Sequence, residues 1–238
     1  MLDNKGRTPL SSAAESRHEK VVKAILEREE VKPGKPDNNG RTPLSYATWL
    51  GREGIVNLLL WREEVKPDMS DNDGRTPLSY AVWSKHEGIV KLLLWREEVN
   101  PDWPDDNGQT PLSLAAKKGY DEVIQILLGP EEVKPDKPDN NGRTPLSYAA
   151  ESECEGAVKI LLRREEVNPD QPDNDGKTPL MWAPCSWYQN MGALLQCHKS
   201  VTHSARGDLG DTTSRKSPPI LLFPAVLFMG PVLVYLVL

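Results

Sequence analysis

Cys185, Cys197, His198 and His203 are the most crowded set of chemically versatile side chains in this 238-residue sequence. Thiolate sulfur and imidazole nitrogen are the ligands of structural zinc, which normally takes them as two close pairs such as C-x2-C and H-x3–5-H. His198 and His203 have four residues between them and supply half of that pattern, but no C-x2-C accompanies them. The cysteines therefore read as unpaired thiols, and no metal or cofactor is expected.

Acid–base chemistry is the next candidate. Glutamate pairs occur at Glu63-Glu64, Glu97-Glu98, Glu131-Glu132 and Glu165-Glu166. A general acid and base need unlike environments and a pocket, and four identical pairs offer neither. They read as a solvated face, the alternative being an acidic stripe for a basic partner. His18 and His86 open equivalent helices in different parts of the chain and read as structural or surface residues. No phosphate loop, nucleophile elbow or dinucleotide fingerprint occurs, so the chain is not expected to be an enzyme.

Charge and cysteine content narrow the class further. A net charge of -6 gives no electrostatic footprint for nucleic acid. Three cysteines make no disulfide framework, residues 1–10 lack the apolar core of a secretory signal, and no N-x-S/T sequon occurs. A cytoplasmic location follows.

The elements that position these residues come from a repeat. Thr-Pro recurs at Thr8-Pro9, Thr42-Pro43, Thr76-Pro77, Thr110-Pro111, Thr144-Pro145 and Thr178-Pro179, each step being 34 residues. Asp leads each unit at 3, 37, 71, 105, 139 and 173, and glycine follows three residues later, giving D-x-x-G-x-T-P-L six times. Asx side chains and glycine make tight turns, threonine caps a helix and proline suits its first position. A first helix is expected through Leu44 to about Leu50, and a second, with a broad apolar face, over Glu53 to Trp61. Helices this short are marginal alone, so the units must stack. The R-E-E-V-(K/N)-P-D segment after the second helix is expected to form a long hairpin-like finger.

D-x-x-G-x-T-P-L followed by a G-I-V-x-L-L-L helix resembles the ankyrin repeat, in six tandem copies over residues 3 to about 196, and more specifically fungal ankyrin arrays. The resemblance implies an all-α solenoid of helix-turn-helix units with hairpin-like fingers. Two departures stand out. Serine occupies the usual histidine position at Ser45, Ser79, Ser113 and Ser147, so ordering between repeats should rest more on Leu, Ala and Tyr packing. The inter-helix glycine, kept as Gly51 and Gly119, is replaced by Arg17, Lys85 and Glu153, where a left-handed residue costs roughly 1 kcal/mol.

The resemblance further implies protein binding through finger tips and inner helices, by a monomer acting as a rigid scaffold. Carried over by position, the tip residues are Asn38, Asn39, Arg41, Asn72, Asp73, Arg75, Asp106, Asn107, Gln109, Asn140, Asn141 and Arg143. The end of the first helix presents Glu15, Trp49, Trp83, Lys117 and Glu151 in successive repeats. Trp49 and Trp83 read either as aromatic anchors for a partner or as packing between repeats. Trp61 and Trp95 are expected to cover the end of the second helix.

Both ends of the array differ from its middle. Ser11, Ser12, Glu15, Lys20 and Lys23 make the first repeat the more polar, and Pro184 falls inside the first helix of the sixth, which reads as a degraded cap. Arrays of this kind often follow a NACHT-type NTPase domain, so the chain also reads as the recognition part of a larger receptor. Residues 197–219 form a polar linker, and all charged residues fall before residue 217. Ile220 to Leu238 is 19 uncharged residues, a helix of which would span roughly 28 Å, close to a bilayer core. Preceded by Arg206, Arg215 and Lys216, it reads either as a tail anchor, a C-terminal membrane helix making the protein a tethered adaptor, or as an apolar end that never inserts.

Overall fold

The computed structural model describes residues 2–196. The linker at 197–219 and the apolar stretch at 220–238 lie outside the described residues, as do Cys197, His198 and His203. Helices follow one another in pairs: α1 (Pro9–Glu15) and α2 (Glu19–Leu26), α3 (Pro43–Trp49) and α4 (Glu53–Leu60), α5 (Pro77–Trp83) and α6 (Glu87–Leu94). Then come α7 (Pro111–Lys118) and α8 (Asp121–Leu127), α9 (Pro145–Glu151) and α10 (Glu155–Leu161), and the short α11 (Pro179–Trp182). No strand occurs among the described residues.

Each inner helix starts as its sequence dictates, with threonine at the N-cap and proline at N1. The serine of T-P-L-S closes the cap. Thr42 Oγ1 accepts the Ser45 backbone N–H at 3.2 Å, and the Thr42 N–H donates to Ser45 Oγ at 3.3 Å. Two otherwise orphaned donors are satisfied reciprocally. In the last repeat Met181 stands at the serine position and Thr178 makes no side-chain cap.

Odd-numbered helices stack on one another as an inner row and even-numbered helices as an outer row. The inner row is sealed by Leu44, Leu78, Leu112 and Leu146 with Ala47, Ala81, Ala115 and Ala149, all buried. The outer row contributes Val22, Val56, Val90, Val123 and Val158. One apolar core thus runs through every repeat, and neighbours supply the burial that two-turn helices lack.

The turns between paired helices are left-handed at Gly51 and Gly119, and at Lys85 (φ 58°) and Glu153 (φ 55°). Arg17 does not share this conformation. Ser16 ends α1 in extended backbone, its N–H and hydroxyl both donating to the Ala13 carbonyl, so the first repeat avoids the left-handed residue by a different cap.

The R-E-E-V-x-P-D segment makes successive turns, tucking Val65, Val99 and Val167 into the core, as Val133 is in its own repeat. The closed tip lies further on, in D-x-x-G-x. There Asp37 Oδ1 accepts the N–H groups of Asn39 and Arg41, both at 2.9 Å, while the Asp37 N–H donates to the Arg41 carbonyl. The other five leading aspartates repeat the two-donor arrangement.

Adjacent fingers are joined by backbone rungs: Asn38 N–H donates to Lys5 C=O at 3.0 Å, Asn72 to Asn39 at 2.9 Å, Asp106 to Asp73, Asn140 to Asn107 and Asn174 to Asn141. The spacing is so close that a Cβ on Gly40, itself at φ +78°, would stand 2.8 Å from the Asn72 nitrogen. A second ladder runs behind the tips, where Asp68, Asp102 and Asp136 accept the backbone N–H of Asn100, Lys134 and Asn168. Their remaining carboxylate oxygens are buried without a partner, and burial raises all three carboxyl pKa values.

Pro184 follows α11 closely and limits it to four residues, after which residues 188–196 are helical and bury Met191 and Leu195. Among the described residues no helix is long and apolar enough to cross a membrane.

Candidate functional site

The inner helices and fingers of the second to fourth repeats border a groove. A cavity of about 370 Å³ there is lined by Arg41, Trp49, Arg75, Trp83, Asn107, Gln109 and Lys117, together with Ser79, Tyr80, Asp105, Thr110 and Leu114. The first seven are residues the repeat register predicts for partner binding, and the fold brings them together from three repeats.

Their neighbours differ. Trp49 is 40% exposed, with its ring centroid 6.0 Å from that of Tyr80 and 5.6 Å from Arg41 Cζ. Trp83, at 52% exposed, has Lys118 Nζ 3.9 Å from its ring centroid. Trp49 thus packs between repeats, while Trp83 offers more free ring surface to the groove. Lys117 Nζ lies 5.4 Å from the Tyr148 ring, within cation–π range. Arg41 ion-pairs with buried Asp71 at 3.6 Å, whereas Arg75 pairs with exposed Asp73 at 3.2 Å, a pairing of small worth in water.

The remaining predicted residues lie outside this cavity. Asn38, Asn72 and Asn140 donate their backbone N–H groups across the rungs, and Asn39 and Asn141 supply rung carbonyls. The side-chain amides of Asn72 and Asn140 also donate to the preceding finger, at the carbonyls of Asn38 and Asp106. These amides join repeat to repeat. Asp73 accepts from Arg75, and Arg143 lies 3.7 Å from the Trp182 ring centroid while pairing with Glu151 at 2.5 Å.

The residues missed by position-by-position reasoning are the aromatic ones nine places after four of the six leading aspartates. Tyr46 and Tyr148 donate to Asp37 and Asp139 at 2.6 Å, Tyr80 donates to Asp71, and the Trp182 indole N–H donates to Asp173 at 2.8 Å. Burial, followed by the hydrogen bond to the carboxylate, pushes Tyr46 and Tyr80 up to about 12, and Tyr148 also upward. Their common spacing in S-Y-A was the available signal.

Among the described residues, the candidate acid–base and thiol groups stay apart. The repeated glutamate pairs are exposed, several pairing weakly with arginines of their own segment such as Arg62–Glu64 at 3.5 Å. Burial pushes the Cys154 thiol pKa up, away from the reactive thiolate, and Cys185 is exposed. Among the described residues no three His, Cys, Asp or Glu side chains converge as metal ligands would. Trp61 and Trp95, 84% and 87% exposed, do not cover the ends of α4 and α6 as expected.

The architecture matches solved structures. The crystal structure of the ankyrin repeat domain of Bcl-3, described as a unique member of the IkappaB protein family, aligns at a TM-score of 0.71 and 23% identity. The alignment covers 80% of this chain and 84% of that one, and at this identity it speaks to the fold. A search of the curated proteins found no match. The family described as ankyrin repeats (3 copies) matches residues 1–71, 61–139, 88–173 and 114–204. With these overlapping matches spanning most of its length, the chain belongs to the ankyrin-repeat family.

Proposed function

We propose that the protein is a non-enzymatic scaffold whose concave face, between the fingers and inner helices of the second to fourth repeats, binds a protein partner. Ankyrin repeats are protein-interaction modules, which supports the class of activity. The observation that carries the choice of face is the cavity in which Trp83 and Arg75 of the third repeat meet Lys117 of the fourth, an aromatic ring amid cations. An exposed ring bordered by polar groups has the make-up of a binding hot spot. Rigid stacking holds that surface preformed, reducing the ordering cost of association.

The test is capture of partners from native extract by the full chain and by a Trp83→Ala, Lys117→Glu variant. Both positions are exposed, so the variant should fold as the parent does. Loss of the captured partners supports the concave face, and equal capture by the two proteins rejects it.

A second reading rests on Ile220 to Leu238, whose 19 uncharged residues support attachment of the scaffold to a membrane. Carbonate-resistant pelleting that disappears when 220–238 are deleted supports it, and a freely extracted full chain rejects it.

A further inference from the structure

The inner face carries one arrangement of four side chains twice, in successive repeats, and the second copy lacks its central ring. In the first copy Tyr80 sits with its ring centroid 6.0 Å from that of Trp49 and 5.8 Å from Arg41 Cζ. Its hydroxyl donates to Asp71 Oδ2 and accepts from Arg41 Nε at 2.9 Å. One period later the same positions hold Trp83, Arg75, Asp105 and Leu114. All four line the cavity, with leucine standing where the phenol belongs.

The missing ring leaves unmet valences. Asp105 Oδ1 accepts two backbone N–H groups at 2.9 Å, but Oδ2 accepts no hydrogen bond among the described residues. Asp105 is consequently only half-buried, whereas Asp37, Asp71, Asp139 and Asp173 are buried beneath a tyrosine or tryptophan. Arg75, without a phenol to reach, turns to Asp73 on its own finger. From the second repeat onward Leu114 is the one residue at this position with neither a ring nor a donor.

We propose that the space over Leu114 is a socket for a tyrosine side chain of the partner protein. The ring lies on Leu114 beside Trp83, and the hydroxyl donates to Asp105 Oδ2 and accepts from Arg75, reproducing the surroundings of Tyr80. The proposal rests on the concave face being the partner surface and adds which side chain that surface selects. Phenylalanine is a poorer occupant, because it covers the carboxylate and guanidinium while giving them no partner. Phosphotyrosine is poorer still, because its dianion meets the Asp105 carboxylate.

The socket is tested on the full chain with N-acetyl-tyrosinamide, its phenylalanine analogue and its phosphotyrosine analogue, following the backbone amide resonances of Gln109 and Thr110, which line the cavity. Saturable shifts are expected with the tyrosine compound, binding about fivefold or more tighter than the phenylalanine compound, in keeping with sites built around a substrate hydroxyl. Leu114→Tyr supplies the ring from within and should abolish the response, and Trp83→Leu should weaken it. Trp61→Leu, on the outer helix row, should leave it unchanged.

Equal binding of the tyrosine and phenylalanine compounds, preference for the phosphotyrosine compound, or no shift at about 50 mM probe overturns the socket. So does wild-type binding by folded Leu114→Tyr. If that variant does not fold, Trp83→Leu decides, an undiminished response overturning the proposal. Capture of partners dependent on Trp83 and Lys117, alongside failure of the tyrosine probe, would overturn the socket while leaving the concave-face reading intact.

Discussion

The hydroxyl of Tyr148 donates to Asp139 Oδ2 at 2.6 Å, fastening the inner helix of the fifth repeat to its own finger. Both groups are buried, so the carboxylate that holds the tip closed through Oδ1 depends on a helical residue for its other oxygen. Tyr148→Phe removes that donor while keeping the ring. Stability should fall by about 1–3 kcal/mol, the cost of an unsatisfied buried acceptor, measured by urea unfolding.

The same bonds set an alkaline limit. Tyr46 and Tyr80 keep their protons up to about pH 12 in the folded chain, against about 10 when unfolded. A folded pKa raised above the unfolded one gives stability that is complete below pH about 10 and is lost as pH rises towards about 12. Unfolding free energy should therefore decline across that window. The decline should be shallower in a Tyr46→Phe, Tyr80→Phe variant, and an unchanged slope would contradict the assignment.

Lys85 and Glu153 occupy left-handed backbone that Gly51 and Gly119 occupy without steric penalty. Lys85→Gly and Glu153→Gly should each stabilise by about 0.5–1 kcal/mol, read as a raised denaturation midpoint. Arg17→Gly should give no such gain, since Arg17 does not adopt that conformation.

Two glycines separate backbone conformation from crowding. Gly108 and Gly176 have φ of +80° and +78°, but a Cβ on Gly108 would stand 2.5 Å from Asn140 N, whereas one on Gly176 would meet nothing within 4 Å. Gly176→Ala should cost about 1–2 kcal/mol, the left-handed penalty alone. Gly108→Ala should cost more, and equal losses in thermal unfolding would show that finger contact contributes nothing.

The most exposed tryptophans offer a contrast. Trp61→Ala and Trp95→Ala should change stability by no more than about 0.5 kcal/mol by chemical denaturation, because each ring is largely in water.

How much of this was legible in the sequence divides along locality. The Thr-Pro starts, the turn glycines and the period follow from residues within a few places of one another, and they appear in the structure where the pattern puts them. Arg17 was misjudged because a neighbouring serine, Ser16, supplies another way to end the helix. Trp61 and Trp95 were misjudged because amphipathic spacing gives the face of a side chain but not whether anything lies above it. Leu114 went unremarked for a related reason. Its meaning lies in the ring it lacks, visible only once Tyr80, Trp49, Arg41 and Asp71 are seen as one cluster.

Each rung between fingers joins a backbone N–H to a carbonyl at a fixed place in the preceding repeat, as from Asn72 to Asn39 and from Asn140 to Asn107. Excising one whole repeat period in frame, for instance 71–104, would bring Asp106 opposite Asn39 with donor still facing acceptor. Trp49, Arg41 and Asp105 would then surround Leu114 as Trp83, Arg75 and Asp105 do now. Gene recombination between repeats can thus shorten or lengthen the array while rebuilding the same seams, so inheritance can vary the rung number without redesigning a single interface.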